Sequence, residues 1–351
     1  MTSFYKPEEG SIVGGYAVNR ELGEGRFSYV VGAQKNNIAC ALKIYRSDRS
    51  SYKCYKNEIK ILLSIPSHIN IIKYHGTFAE VCISNNTPNI HPCIMFEMAG
   101  CSISDLIRHC NREYDSNIPL EHSKVIIRDM FAGIAHIHRH GVIHSDIKPS
   151  NILLNRNIPD INGLNFHAKL VDFGSSSIDD SVDPSSVGTV GYIAPEIILS
   201  NALTPAADVW SAYMSAFRII TSEHLLDIFS ETDMIYGDDT YTDAIAYDEE
   251  ESDYDEEDDE LISYRTLVLL EKLLGPPDKQ FRKQRRYYNA RGKLKTNPDL
   301  KPSSIGNFIK TNFEMSTEDI SALESFLLSG LKYNPLNRIS AENSLKVPWL
   351  Q

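Results

Sequence analysis

The sequence predicts an α+β protein of two lobes, a small β-rich lobe followed by a larger, mainly helical one. Three observations carry this. The first 100 or so residues read as short apolar strands separated by turns, and only one helical stretch interrupts them. From about residue 120 onward, apolar side chains recur at helical spacing, with only a few short strand-like runs between them. The change of period falls near residues 98–100, which marks the join between the lobes.

Each element has its own signal. "YAVNREL" and "FSYVVGAQ" flank the loop "GEG" as the arms of a hairpin, and "CALKIY" follows as a third strand. Residues 51–65 place Ile59, Leu62 and Leu63 on one helical face, and Pro66 stops the helix. "HPCIMFEM" reads as a buried strand. Over residues 120–140, Ile126, Met130, Ile134 and Ile137 keep helical spacing, and Gly141 supplies the stop. The expected organisation is a tail over residues 1–13, a small lobe over 14–98, and a large lobe over 99–351. The large lobe carries an acidic insertion at about 235–260.

Composition excludes several classes. A chain of 351 residues with 42% hydrophobic content can bury substantial cores. No apolar run approaches the ~20 residues needed to cross a bilayer, and the N-terminus lacks an apolar leader core, so a soluble intracellular protein without a membrane partner is expected. Six cysteines fall in the first third with no Cys-x-x-Cys pair, which reads as free thiols in a reducing compartment. The net charge of −12 is concentrated in one place, since 11 of the 13 residues in "DEEESDYDEEDDE" (248–260) are acidic. Such a block is self-repelling and is expected to be a solvated, disordered loop, either a solubilising insertion or a docking surface for a basic partner. The stretch "FRKQRRYYNARGKLK" (281–295) is its basic counterpart, readable as a localisation or nucleic-acid patch or as a surface facing the acidic loop. An acidic chain argues against nucleic acid as the partner.

Chemistry enters with residue order. "GEGRFSYV" (23–30) lies between two strands, so its glycines let backbone pass close over phosphates, although Ser28 replaces the third glycine of the usual pattern. A strand delivers Lys43 and a helix delivers Glu58, and a lysine beside a core needs such a partner. "HSDIKPSN" (144–151) then places a carboxylate, a lysine and a carboxamide within six positions, followed by "LVDFG" (170–174) and "GTVGYIAPE" (188–196).

In this order and at these intervals, the glycine loop, Lys43, Glu58, His-x-Asp-x-x-x-x-Asn, Asp-Phe-Gly and Ala-Pro-Glu resemble the eukaryotic protein kinases over residues 14–351. The resemblance implies a bilobal protein kinase fold that uses ATP and Mg²⁺. It assigns Asp146 to the substrate hydroxyl, Lys148 to the γ-phosphate, and Asn151 and Asp172 to the metal. Lys43, oriented by Glu58, takes the α- and β-phosphates. Leu22, Gly23, Glu24, Gly25, Ser28 and Val30 cover the nucleotide, Ala41 and Leu153 sandwich adenine, and Phe96, Glu97 and Ala99 border its edge. It also implies structural roles: Glu196 pairs with Arg338, Asp208 supports the catalytic loop, and His144 and Phe173 pack. Lys148 and Thr189 fit a serine/threonine enzyme.

Finer features, "CIMFEMAG", "LTPAADVWSAYMSAFRIIT" and the tail from Tyr287 to the closing "PWL", resemble the SR-protein kinases, which phosphorylate serines in Arg/Ser repeats of splicing factors. Ser145 stands where most kinases have an arginine that binds a phosphate on the activation loop, which implies activity without that phosphorylation. Two departures stand against the subfamily. Ile193 replaces the arginine of the broader group, and the stretch 155–167 is too short for a long spacer. The resemblance thus implies a monomeric cytoplasmic or nuclear enzyme acting on basic, Arg/Ser-rich protein. The alternatives are another serine/threonine kinase of the cyclin-dependent, MAP or casein-kinase type and a pseudokinase scaffold, although Lys43, Asp146 and Asp172 are all kept.

Overall fold

Alternation along the strands decides how the small lobe is built. The computed structural model describes residues 5–84, 87–156, 166–178, 187–199, 203–226, 256–283, 286–295 and 304–351, with backbone alone at 84 and over 256–262. Strands β1 (Ile12–Val13), β2 (Tyr16–Glu24), β3 (Ser28–Lys35), β4 (Ile38–Tyr45), β5 (Tyr74–Ser84) and β6 (Thr87–Glu97) form one antiparallel sheet in the order β1-β2-β3-β4-β6-β5. Successive side chains face opposite sides. Tyr29, Val31, Ala33, Cys40, Leu42, Ile44 and Cys93 therefore close a core of their own on one side. Val30, Ala41 and Lys43 point the other way, toward the large lobe.

Helix α1 (Arg49–Ser64) packs beside this second face, capped by Asp48, whose carboxylate accepts the Ser51 amide at 2.9 Å. Its buried stripe is Ser51, Glu58, Ile61 and Leu62. Of the expected face, Leu62 is buried and Ile59 packs against the core, but Leu63 is 68% exposed and Ile61 is buried in its place. With three apolar residues in a row the period is ambiguous, and the buried Glu58 settles which of them turns inward. Ile65 is already extended (ψ 132°), as the residue before Pro66 must be.

The large lobe is helical. Helix α2 (Ile103–Tyr114) opens with a capping box between Ser102 and Asp105. Helix α3 (Leu120–Arg139) buries Ile126, Met130, Ile134 and Ile137 as expected and ends before Gly141 (φ +73°). Short strands β7 (Ile152–Leu154) and β8 (Ala168–Leu170) form a second sheet, and α4 (Pro195–Ile198) precedes α5 (Pro205–Thr221). Thirteen of the 17 residues of α5 are buried, so it is an internal helix and its few polar residues are held inside the lobe. Helices α6 (Glu256–Leu274), α7 (Ile305–Asn312), α8 (Thr317–Gly330) and α9 (Ala341–Ser344) complete it. Among the described residues no helix is long and apolar enough to cross a membrane.

Two expectations about charge change here. Helix α6 begins at Glu256, inside the acidic tract, so its last five residues are helical rather than loop. Acidic residues at a helix N-terminus sit against the positive end of the backbone dipole, which the charge-only reading ignored. The rest of the tract and of the expected insertion lies outside the described residues. In the basic stretch, Phe281, Tyr287, Tyr288 and Leu294 are buried against Leu199, Leu267 and Val268 in a small core. The tyrosines anchor the segment. Lys283, Arg291, Lys293 and Lys295 remain at the surface.

Candidate active site

Strand register brings the first functional side chains together. Lys43 pairs across the sheet with Val30 on one side and Ile94 on the other, and Val30 in turn pairs with Gly23. Ala41 lies opposite Gly32 and Phe96, which sets it beside the connection between the lobes. A Cβ on Gly32 would come within 3.2 Å of Met98 Cε and into ordinary contact with Arg20 Cγ (3.6 Å) and Leu22 Cδ1 (3.7 Å), so Leu22 and Met98 both border it. Leu153, half-buried on β7, is held near residues 100–102 because the Gly100 amide donates to the Leu154 carbonyl at 2.7 Å. Leu22, Val30, Ala41 and Leu153 are each left incompletely buried.

The glycine loop carries no strained backbone. Neither Gly23 nor Gly25 has positive φ, and a Cβ on Gly23 would meet nothing within 4 Å. A Cβ on Gly25 would approach only the Ser28 carbonyl at 3.8 Å. Protein contacts do not demand glycine here; what the glycines keep clear is the space that side chains would occupy over the loop. Ser28 pairs with Tyr45 in the ladder and is buried, so a third glycine is not required. Glu24 is engaged by Lys6 and lies 3.9 Å from Arg46.

Lys43 is the hub. Its Nζ donates to Glu58 Oε2 and to Asp172 Oδ1, each at 2.8 Å. Burial alone would lower the Lys43 pKa, but Asp172 and Glu58 beside it hold it well above the ordinary lysine range. The same packing opposes ionisation of Asp172, yet the charge and hydrogen bond of Lys43 prevail and put its carboxyl at about 2. Asp172, with φ +62°, keeps a 48% exposed side chain that can take a cation. Glu58 is fully buried and also accepts from Tyr45 Oη and from the Phe173 amide.

The catalytic-loop segment forms a second cluster. Asp146 Oδ1 accepts from Thr189 Oγ1 at 2.7 Å, and Thr189 Oγ1 accepts from Lys148 Nζ at 2.7 Å. Asn151 Nδ2 donates to the Asp146 carbonyl (2.9 Å) and to Asp146 Oδ2 (2.8 Å), which turns Asn151 Oδ1 outward. The Val171 amide donates to the Asn151 carbonyl at 3.1 Å, which sets Asn151 one residue from Asp172 along the chain, and an amide oxygen with a carboxylate is a hard-oxygen donor pair suited to Mg²⁺. No cluster of three or more His, Cys, Asp or Glu side chains fit for a metal occurs among the described residues, so remaining ligands would come from phosphate and water.

Below the loop, Asp208 accepts three hydrogen bonds, from the His144 amide (2.7 Å), the Ser145 amide (2.8 Å) and His138 Nε2 (2.8 Å). These hold Ser145 at φ +72°, a conformation costly for a side chain of this kind. Its buried Oγ has no hydrogen-bond partner among the described residues. His144 packs on Phe173 with ring centroids 5.0 Å apart, and Glu196 and Arg338 form a two-pronged ion pair at 2.6 and 2.8 Å. Ile193 lies against Gly188, whose φ of +88° and 3.0 Å approach to Ile193 Cγ1 exclude a larger residue.

Sequence reasoning named these residues but missed several contacts. Glu97 was expected to border a ligand through its backbone. Its amide donates to the Lys73 carbonyl at 3.0 Å, and its side chain binds Lys169 of β8 at 2.8 Å, an ionic strut beside the join of the lobes. Thr189, read only as a class mark, touches Asp146 itself. His138, Tyr45 and Asn57 carried no motif that could have found them.

Comparison with known proteins follows the same lines. A family model for the protein kinase domain matches residues 16–350. Dual specificity protein kinase lkh1 of Schizosaccharomyces pombe is 26% identical, with 95% of this chain covered and 46% of that protein. Serine/threonine-protein kinase prpf4B of Dictyostelium discoideum is 30% identical over 66% of this chain and 28% of its own length. Serine/threonine-protein kinase SRPK of Physarum polycephalum is 25% identical over 95% of this chain and 85% of its own length. The chain therefore spans less than half of the first two relatives. A crystal structure of a kinase domain superposes with a TM-score of 0.72 at 22% identity, covering 99% of this chain and 98% of that one, which concerns the fold alone.

Proposed function

We propose, for a chain that belongs to the protein kinase family, that it is an active serine/threonine kinase of the SR-protein and related type, transferring the γ-phosphoryl group of ATP to serine. The observation that carries activity is Lys43 bonded at once to Glu58 and Asp172, because it brings α1, the phosphate-binding lysine and the metal-binding aspartate into one arrangement. Mg²⁺, when bound, offsets charge that develops on the transferred group. Asn151 and Asp172 would hold it.

The protein's own share of the work is positioning. Asp146, oriented by Thr189 and Asn151, receives the proton of the substrate hydroxyl. Lys148, whose Nζ donates to Thr189 Oγ1 and lies 3.5 Å from Asp146 Oδ2, would meet the γ-phosphate. Leu22, Val30, Ala41, Phe96 and Leu153 enclose adenine, with the backbone of residues 97–99 along its edge.

Basic, Arg/Ser-rich proteins are the substrates this reading favours, in cytoplasm or nucleus. The likeness to the Physarum enzyme and Ser145 support it. The test uses ATP, Mg²⁺ and three peptides in parallel: an Arg/Ser repeat, a Ser-Pro peptide and an acidic casein-like peptide. The highest kcat/KM is expected on the Arg/Ser repeat. A preference for either of the others overturns the substrate class, and no turnover on any overturns the activity. Because Ser145 provides no cation for a phosphate, protein treated with phosphatase is expected to keep its activity; a loss of most of it would overturn the regulatory part.

A further inference from the structure

If no phosphate organises the activation segment, something else must, and the structure shows a neutral contact placed to do so. Asn57 lies next to Glu58 on α1, and its Nδ2 donates to two backbone carbonyls at the start of that segment, Gly174 at 3.0 Å and Ser176 at 2.7 Å. Both protons of the amide nitrogen are used. Both acceptors are carbonyl oxygens, so the orientation of the carboxamide is fixed by chemistry.

The segment so held is tied on its other side to the catalytic loop. Ser176 Oγ donates to the His144 carbonyl at 3.1 Å, and Ile143 and Ser177 exchange backbone hydrogen bonds at 2.8 and 2.9 Å. One residue back, the Phe173 amide reaches Glu58 Oε1 at 3.3 Å. Residues 173–177 are therefore stitched between α1 and the loop that presents Asp146. Among the described residues, the side-chain amide bonded to 173–177 is that of Asn57.

We propose that Asn57 is a positioning residue whose carboxamide latches α1 to the activation segment, fixing Glu58 and Asp172 around Lys43 without any phosphate. It presupposes the kinase activity proposed above. The latch explains why Ser145 suffices where an arginine is usual. A charge lock operates only after modification, whereas two amide hydrogen bonds to backbone form with the fold.

The decisive substitution is Asn57→Asp, nearly isosteric but directing a carboxylate oxygen at two carbonyls; Asn57→Leu removes both bonds without adding repulsion. Both are made in the full chain. Amide exchange across residues 173–177 is expected to quicken on the order of tenfold or more in each variant, because two hydrogen bonds are lost. With a peptide substrate, kcat is expected to fall about 10- to 100-fold with peptide KM within a few fold, as for misplaced catalytic groups. The thermal midpoint should stay near that of the wild type, which separates positioning from general stability.

Unchanged exchange in both variants overturns the latch, as does wild-type kcat in Asn57→Asp. If the wild type proves inactive on every peptide, the kinase reading fails, and the exchange measurement still decides the latch without turnover. If the wild type requires phosphorylation while exchange responds to Asn57, the latch stands as a contact but its phosphate-free role is overturned.

Discussion

Replacing Asp146 with asparagine is expected to lower kcat by about 10²- to 10⁴-fold, the range for loss of a positioned proton acceptor. Size is conserved, and the side chain is only 19% exposed, so packing alone predicts little change. What changes is chemistry. An amide cannot accept the substrate proton, and one of its two ends must now turn a donor toward Thr189 or Asn151, each of which currently donates to Asp146. KM for ATP should stay within a few fold, since the phosphate-binding partners around Lys43 are untouched. Steady-state kinetics with a peptide substrate, beside a thermal melt within a few degrees of wild type, check the result. Retention of kcat within about tenfold would place the proton acceptor elsewhere.

Substituting Arg338 with methionine is expected to destabilise the protein by about 3–5 kcal/mol, the cost of leaving a buried charge without its partner. Arg338 and Glu196 are both essentially inaccessible, and the guanidinium meets both carboxylate oxygens. It also donates to the carbonyls of Ala206 (2.6 Å) and Lys332 (2.7 Å), so its loss strands backbone acceptors as well. Denaturant melts should show the shift, and the thermal midpoint should fall on the order of 10 °C. The double variant Glu196→Met with Arg338→Met should recover part of the loss, because the stranded charge is then gone. A single variant costing less than about 1 kcal/mol would mean that water reaches Glu196.

What could be read in the sequence was whatever lay in local order. Strand alternation, the Gly141 stop and the motif series gave the α+β class and named Lys43, Glu58 and Asp172, which the structure gathers in one cluster, and Asp146 and Asn151, which it gathers in another. The contacts that orient them were not legible. Asn57 reaches Gly174 across 117 positions, and His138 reaches Asp208 across 70, with no spacing rule to connect either pair. Local signals also failed where two effects competed. In the run around Ile61, Leu62 and Leu63 the period was ambiguous by one residue, and in the acidic tract self-repulsion was weighed without the helix dipole that lets Glu256 start α6.

The inner face of the small-lobe sheet has a consequence for how the molecule comes apart. Tyr45, Ile61, Leu62, Ile94 and Phe96 belong to the same continuous core as Phe131, Trp210 and Phe326 of the large lobe, while only the outer face of the sheet has a core to itself. The join between the lobes is thus a seam in the rim of one continuous core rather than a gap between two. A small lobe excised from this chain would lose the apolar underside on which α1 and β4 rest.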